Sequence, residues 1–110
     1  MRLSKVESML GLAMKSGNVV GGGDAVEEAI KSGKALLVVI ASDSSAGTKK
    51  HLKDKCSFYQ VPFVEYGTRE ILGCATGKGM RASLAITDLN FAKAVCAQID
   101  QTRKQMEGAE

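Results

Sequence analysis

Tryptophan is absent from this chain of 110 residues, and aromatic side chains make up only 5% of it. That scarcity excludes a platform of stacked rings for single-stranded nucleic acid as the main recognition device. Histidine occurs once, as His51, inside a lysine-rich segment. Asp43, Ser44 and Ser45 resemble the parts of a hydrolase site. With no second histidine and no nucleophile elbow, their expected role is to cap a helix. The cysteines, Cys56, Cys74 and Cys96, are odd in number and widely spaced. Free thiols in a reducing cytosol fit that pattern; a disulfide framework does not. The nearest approach to a metal-ligand pair is His51-x4-Cys56, which lacks zinc-site spacing, so no metal or cofactor is expected. No apolar run approaches the ~20 residues that span a bilayer, and Met1-Arg2-Leu3-Ser4-Lys5 has no signal-peptide core. These absences imply a cytoplasmic protein with no membrane partner.

The length suits one domain over residues 1–110, and a hydrophobic content of 45% is that of a packed fold. Fifteen Lys and Arg against twelve Asp and Glu give a net charge of +3. This mild excess favours an anionic partner but falls short of a chain that holds duplex by charge alone. Nucleic acid is the leading candidate for that partner.

Six consecutive apolar residues, Leu36 with Leu37, Val38, Val39, Ile40 and Ala41, show no polar alternation. They read as a strand covered on both faces. Around this strand, helices and strands alternate. Ser4-Lys5-Val6-Glu7 has the spacing of a capping box, and Val6, Met9, Leu10 and Ala13 form an apolar stripe before Gly17. The first helix is placed at about residues 5–16. A short strand at 18–20 runs into Gly21-Gly22-Gly23. Asp24-Ala25-Val26-Glu27 then reads as a second capping box, opening a helix that Gly33 closes. A third helix is expected from about Ser45, with Leu52, Cys56 and Tyr59 on its buried face. After Pro62 come a strand at 63–66, a short helix from about Thr68 through Ala75, and a flexible basic loop, Gly77-Lys78-Gly79-Met80-Arg81. A strand at 84–87 and a helix capped by Asp88 or Asn90, burying Phe91, Val95 and Ile99, complete the pattern. The polar stretch 103–110 is expected to fray. Strict alternation predicts a single-domain three-layer α/β/α sandwich on a mostly parallel four-stranded sheet.

Among the motifs, Gly73-Cys74-Ala75-Thr76-Gly77-Lys78-Gly79 fails as a phosphate loop. It has three residues where four belong before Gly-Lys, and Gly79 stands where a magnesium-binding hydroxyl is needed. The Gly21-Gly22-Gly23 triplet before a helix start admits two readings. The helix N-terminus offers N–H groups to an anion, or the triplet is a sharp turn needing positive φ. Asp24, Glu27 and Glu28 suit the helix dipole but repel a phosphate. Basic residues gather at Lys31 and Lys34, at Lys49, Lys50, Lys53 and Lys55, and at Lys78 with Arg81.

Four segments in order resemble a known family: Val20-Gly21-Gly22-Gly23-Asp24 leading to Ile30-Lys31-Ser32-Gly33-Lys34; residues 36–41 with Asp43-Ser44-Ser45 and Thr48-Lys49-Lys50; Cys56 with Val61-Pro62-Phe63; and Leu72-Gly73 through Gly77-Lys78, Arg81 and Ala85-Ile86-Thr87-Asp88. The chain resembles the ribosomal protein superfamily that binds kink-turn RNA (large-subunit proteins seven-A-e and thirty-e), with a bacterial YlxQ-like branch nearest. The resemblance implies the sandwich fold, no catalysis, and structured RNA rather than DNA as the partner, bound by the glycine turn, the start of the second helix and the late loop. On that footing the RNA-binding residues are Gly22, Gly23, Asp24, Glu28, Lys31, Lys34, Lys78, Met80 and Arg81. The family's turn reads Gly-x-Asn-Glu-x-x-Lys. Here Asp24, Ala25 and Glu28 stand at its asparagine, glutamate and lysine, which implies weak recognition of a standard kink-turn. Two functions follow: a non-enzymatic, ribosomal-protein-like RNA binder, ribosome-associated or acting on other structured RNA, or a protein-interaction module that kept the fold and lost the RNA. A small-molecule enzyme has only the glycine loops in its favour.

Overall fold

The computed structural model describes residues 4–108, with the backbone alone described over 104–108. Residues 1–3, 109 and 110, which include parts of the amino-terminal and frayed-tail expectations, lie outside the described residues. Nine elements follow in order: α1 (Lys5–Lys15), β1 (Val19–Gly21), α2 (Gly23–Lys31), β2 (Leu37–Ile40), α3 (Ala46–Tyr59), β3 (Phe63–Glu65), α4 (Arg69–Ala75), β4 (Ser83–Ile86) and α5 (Leu89–Gly108).

Local chemistry sets most of these limits. Ser4 accepts the Glu7 N–H and the Glu7 carboxylate accepts the Ser4 N–H, so the first capping box is present. Ser45 caps α3 by accepting from Thr48 N–H, and Asp88 accepts the Phe91 N–H at the start of α5. The second box is not formed. Gly22, at φ +97°, is the N-cap of α2 and no side chain caps it. This puts Glu27 five positions past the cap, too far along to reach back. Helix α5 continues to Gly108 through most of the stretch expected to fray, and the Arg103 guanidinium donates to the Glu65 carbonyl.

The sheet order is β1-β4-β2-β3. Only β2 and β3 pair in parallel; β4 lies antiparallel to both β1 and β2. The sheet is therefore mixed, not mostly parallel as alternation predicts. The cause lies in the connection before β4. Helix α4 and its following loop fold back on one another, so that Arg81 N–H meets Arg69 O at 3.0 Å. The chain re-enters the sheet at the end it left and must run the opposite way.

The three layers stand as expected. Both central strands, β2 and β4, are buried along their whole length. Leu37, Val39, Ala41, Leu84 and Ile86 meet α1, α4 and α5 through Val6, Leu10, Leu72, Val95 and Ile99. The alternate residues Val38, Ile40 and Ala85 meet α2 and α3 through Val26, Ile30, Leu52 and Cys56. Period-two alternation thus feeds two separate cores. Tyr59 stays 39% exposed, because the left-handed Gln60 ends α3 one turn after its last buried residue, Cys56.

Candidate nucleic-acid interface

One end of the sheet gathers the glycine turn, the start of α3 and the α4–β4 loop. Gly22 is required where it stands, since φ +97° is costly for any residue with a Cβ. Its carbonyl accepts the Val26 N–H, and the exposed Gly23, Asp24 and Ala25 form the open first turn of α2. N–H groups in a first turn have no partner inside the helix and face outward.

The 77–82 loop is tied down by hydrogen bonds at both ends. Gly77 N–H donates to Cys74 O at 3.1 Å and Lys78 N–H to Gly73 O at 2.8 Å, the paired bonds of a Schellman closure. Gly73 permits this: a Cβ there would lie 1.9 Å from Gly79 O. At the far end, Ala82 O accepts from Ala41 N–H at 2.8 Å and from the Ser44 hydroxyl at 3.0 Å. The loop therefore holds exposed Lys78 and Met80 outward and lays Arg81 against the glycine turn. The Arg81 Cδ and Nε sit 3.2 Å from where a Gly21 Cβ would stand. Gly22, Gly23, Asp24, Met80 and Arg81 thus share one edge.

The remaining expected residues scatter. Glu28 and Lys34 border a groove of about 270 Å³ along the other flank of α2, with Val20, Ala25 and Thr87. Lys31 lies near the far end of the helix and pairs with Glu27 at 3.4 Å. The cations of α3 are also engaged: Lys49 and Lys53 bind Glu65 at 3.0 and 2.9 Å, and Lys50 binds Asp54 at 3.0 Å. Most of the lysine-rich helix therefore offers charge already matched by neighbouring carboxylates.

Sequence reasoning missed the cleft between the two helix starts. A cavity of about 340 Å³ is bordered by Gly23, Asp24, Glu27, Thr48, His51 and Ser83, among others. The Ser83 hydroxyl, on a residue 1% exposed, has no hydrogen-bond partner among the described residues. A buried hydroxyl left without a partner is uncommon and marks a polar contact still available. His51 Nε2 lies 3.3 Å from Glu27 Oε1, with Lys55 at 3.9 Å from the same oxygen. The His51 hydrogen bond, followed by Lys31, holds the Glu27 carboxyl below its ordinary value, against an opposing effect of burial. The signal for this cleft was the Ser45 cap. It places the start of α3 just past the end of β2, beside the glycine turn.

The chain is thus a mixed four-stranded sandwich whose glycine turn and late loop meet at one sheet end. The chain belongs to the Ribosomal protein L7Ae/L30e/S12e/Gadd45 family, whose sequence profile matches residues 4–96. It is 38% identical over 92 residues to the RNA-binding protein YlxQ of Bacillus subtilis (strain 168), covering 84% of this chain and 92% of that one. To the large ribosomal subunit protein eL30 of Methanosarcina mazei it is 36% identical, over 76% of this chain and 79% of the relative. A solved structure of a protein with unknown function from Bacillus halodurans C superposes with TM-score 0.86 at 38% identity, covering 89% of this chain and 99% of that one. The Giardia lamblia 15.5kD RNA binding protein superposes with TM-score 0.74 at 19% identity, over 94% and 92% of the two chains, and attests the shared fold.

Proposed function

We propose that this protein is a non-enzymatic RNA-binding protein of the cytoplasm that takes ribosomal or other structured RNA at the end of the sheet where the glycine turn meets the α4–β4 loop. The observation that carries this reading is the Arg81 side chain laid across Gly21. It joins a cation, the exposed Met80 and the open first turn of α2 into one continuous face. Phosphates meet Arg81, Lys78 and the first N–H groups of α2, and Met80 offers an apolar contact to an unpaired base. The cleft between α2 and α3, with Ser83, Thr48 and His51 at its wall, adds polar groups beside that contact. The names of its relatives, RNA-binding protein and ribosomal protein, point the same way.

The test is filter binding to bulk bacterial ribosomal RNA across a salt series. Affinity should fall with salt at a log–log slope of roughly 0.7–0.9 per phosphate neutralised. Replacing Lys78 and Arg81 together by alanine should flatten the slope by about one to two units. A fully folded protein that ignores RNA at low salt would instead support the protein-interaction module.

A further inference from the structure

Resting on the RNA-binding reading above, we infer that Asp43 is a positioning residue that sets the placement of Arg81 through Arg69. Asp43 lies in the turn after β2, where its expected job was to cap α3. It does not do so; Ser45 is that cap. The Asp43 carboxylate reaches across to α4 instead. Its Oδ1 accepts the Arg69 backbone N–H at 2.8 Å and lies 3.6 Å from Arg69 Nε. The Arg69 carbonyl in turn accepts the Arg81 N–H at 3.0 Å. Two consecutive hydrogen bonds therefore run from the β2–α3 turn, through the first residue of α4, to the arginine lying on Gly21.

The neighbouring bonds support this route. Ser42 N–H donates to Gly67 O at 2.8 Å, just before α4, and the Ser44 hydroxyl donates to Ala82 O, just after Arg81. The Asp43 turn thus grips the α4–loop hairpin at its entrance and at its exit. Arg69 and Asp43 are both partly exposed, with side-chain exposures of 45% and 44%. Substitution at Asp43 therefore leaves no cavity in either core. Removing the carboxylate frees the start of α4 to tilt, and Arg81 loses its fixed position over the turn.

Charge and positioning predict opposite outcomes. Asp43→Ala removes an anion from the candidate RNA face and releases the Arg69 guanidinium, so charge alone predicts tighter binding. Positioning predicts weaker binding. Asp43→Asn removes the charge but keeps an amide oxygen able to accept the Arg69 N–H. It separates the two effects.

The experiment measures dissociation constants for bulk bacterial ribosomal RNA at fixed salt for five proteins: wild type, D43A, D43N, R81A and the D43A/R81A double variant. Circular dichroism verifies that each is folded, and hydrogen exchange reports on the Arg81 amide. The expected result is a loss of roughly three- to tenfold for D43A, a size typical of coupling through a shared network. D43N should bind at least as well as wild type. Asp43→Ala should have no further effect once Arg81 is alanine, and the Arg81 amide should exchange faster in D43A. If D43A binds as tightly as wild type while R81A is weakened, the inference fails and the RNA-binding face stands. Losses that multiply in the double variant would also overturn it, since Asp43 would then act independently of Arg81. If wild type does not bind, or R81A binds like wild type, the placement of RNA on Arg81 falls and the inference falls with it.

Discussion

Gly73→Ala offers a test in which the sign of the effect decides. Gly73 lies inside α4, where alanine is the better helix former by about 1 kcal/mol. On helix propensity alone the variant is more stable than the parent. The structure argues the reverse, because the added Cβ would fall 1.9 Å from Gly79 O and 2.6 Å from Gly79 C. Both are backbone atoms, so no side chain can swing aside. Ordinary contact begins near 3.4 Å, and the loop must therefore withdraw by about 1.5 Å. That movement weakens the Gly77 and Lys78 closure bonds to Cys74 O and Gly73 O. Each is worth about 1 kcal/mol net, and overpacking at a tight site costs about 1–3 kcal/mol. With both bonds lost, subtracting the helix gain leaves Gly73→Ala destabilised by about 2–4 kcal/mol. Gly47→Ala serves as the control: it also lies in a helix, α3, and a Cβ there meets nothing within 4 Å. It should raise stability by up to about 1 kcal/mol. Urea titration gives both values, and thermal melting should show them as shifts of roughly 4–8 °C per kcal/mol. A Gly73→Ala protein as stable as its parent would refute the packing of the 77–82 loop on α4.

Four other outcomes are expected. Hydrogen bonds from Lys53 and Lys49 hold the Glu65 carboxyl below its ordinary value of 4.5, as the His51 hydrogen bond does for Glu27. Their contribution is complete above that value and is lost as pH falls through the lowered ones, so a Glu27→Gln/Glu65→Gln variant should show a flatter acid limb of Tm against pH below 4.5, and an unchanged limb would contradict these pairings. Burial pushes the Cys56 thiol up to about 11, whereas Cys74 is exposed; a thiol reagent at pH 8 should modify Cys74 promptly and Cys56 only at the rate of unfolding, and equal rates would show that α3 does not pack as described. The stability gained from keeping Cys56 protonated is full below the unfolded thiol value and should decline as pH rises through about 11. Finally, wild type should bind a standard kink-turn RNA weakly, and the triple variant Asp24→Asn, Ala25→Glu, Glu28→Lys should gain roughly 1–3 kcal/mol per restored base contact, by analogy with bidentate readout in DNA; calorimetry showing no gain would mean the alignment of this turn is wrong.

Elements with strong local chemistry were legible in the sequence. The Ser4 box, the Ser45 and Asp88 caps and the glycine stops at 17 and 33 all form where residue type and spacing put them. The apolar run ending at Ala41 is a central strand because no polar residue interrupts it. What was not legible depends on contacts distant in sequence. Strand direction turned on α4 folding back on its own loop, which depends on Gly73 approaching Gly79, and nothing local distinguishes such a glycine from a helix breaker. Asp24 and Glu27 have the spacing of a capping box, yet Gly22 claims the cap, leaving Glu27 free to meet α3. The same holds for the candidate site. That the glycine turn and the late loop share one edge was legible from the order of elements and the resemblance, but not the Arg81 side chain laid over Gly21. Ser83, Thr48 and His51 carry no motif; only the packing of two helix starts gathers them.

The position of β4 has a consequence for how the molecule comes into being. β1 and β2 do not touch; each finds its partner in β4, which enters the sheet last in the chain. During synthesis, β2 and β3 can pair early, but β1 has no strand to pair with until residues 83–86 are available. The glycine turn at the end of β1 and the arginine just before β4 are therefore brought together in a single late event. Gly21 and Arg81 are 60 positions apart in the chain, so that closure is a slow, non-local step. A nascent or truncated chain that stops short of Ile86 has most of its helices and no shared edge on which to hold a ligand. Completion of the sheet and assembly of the candidate site are thus one transition.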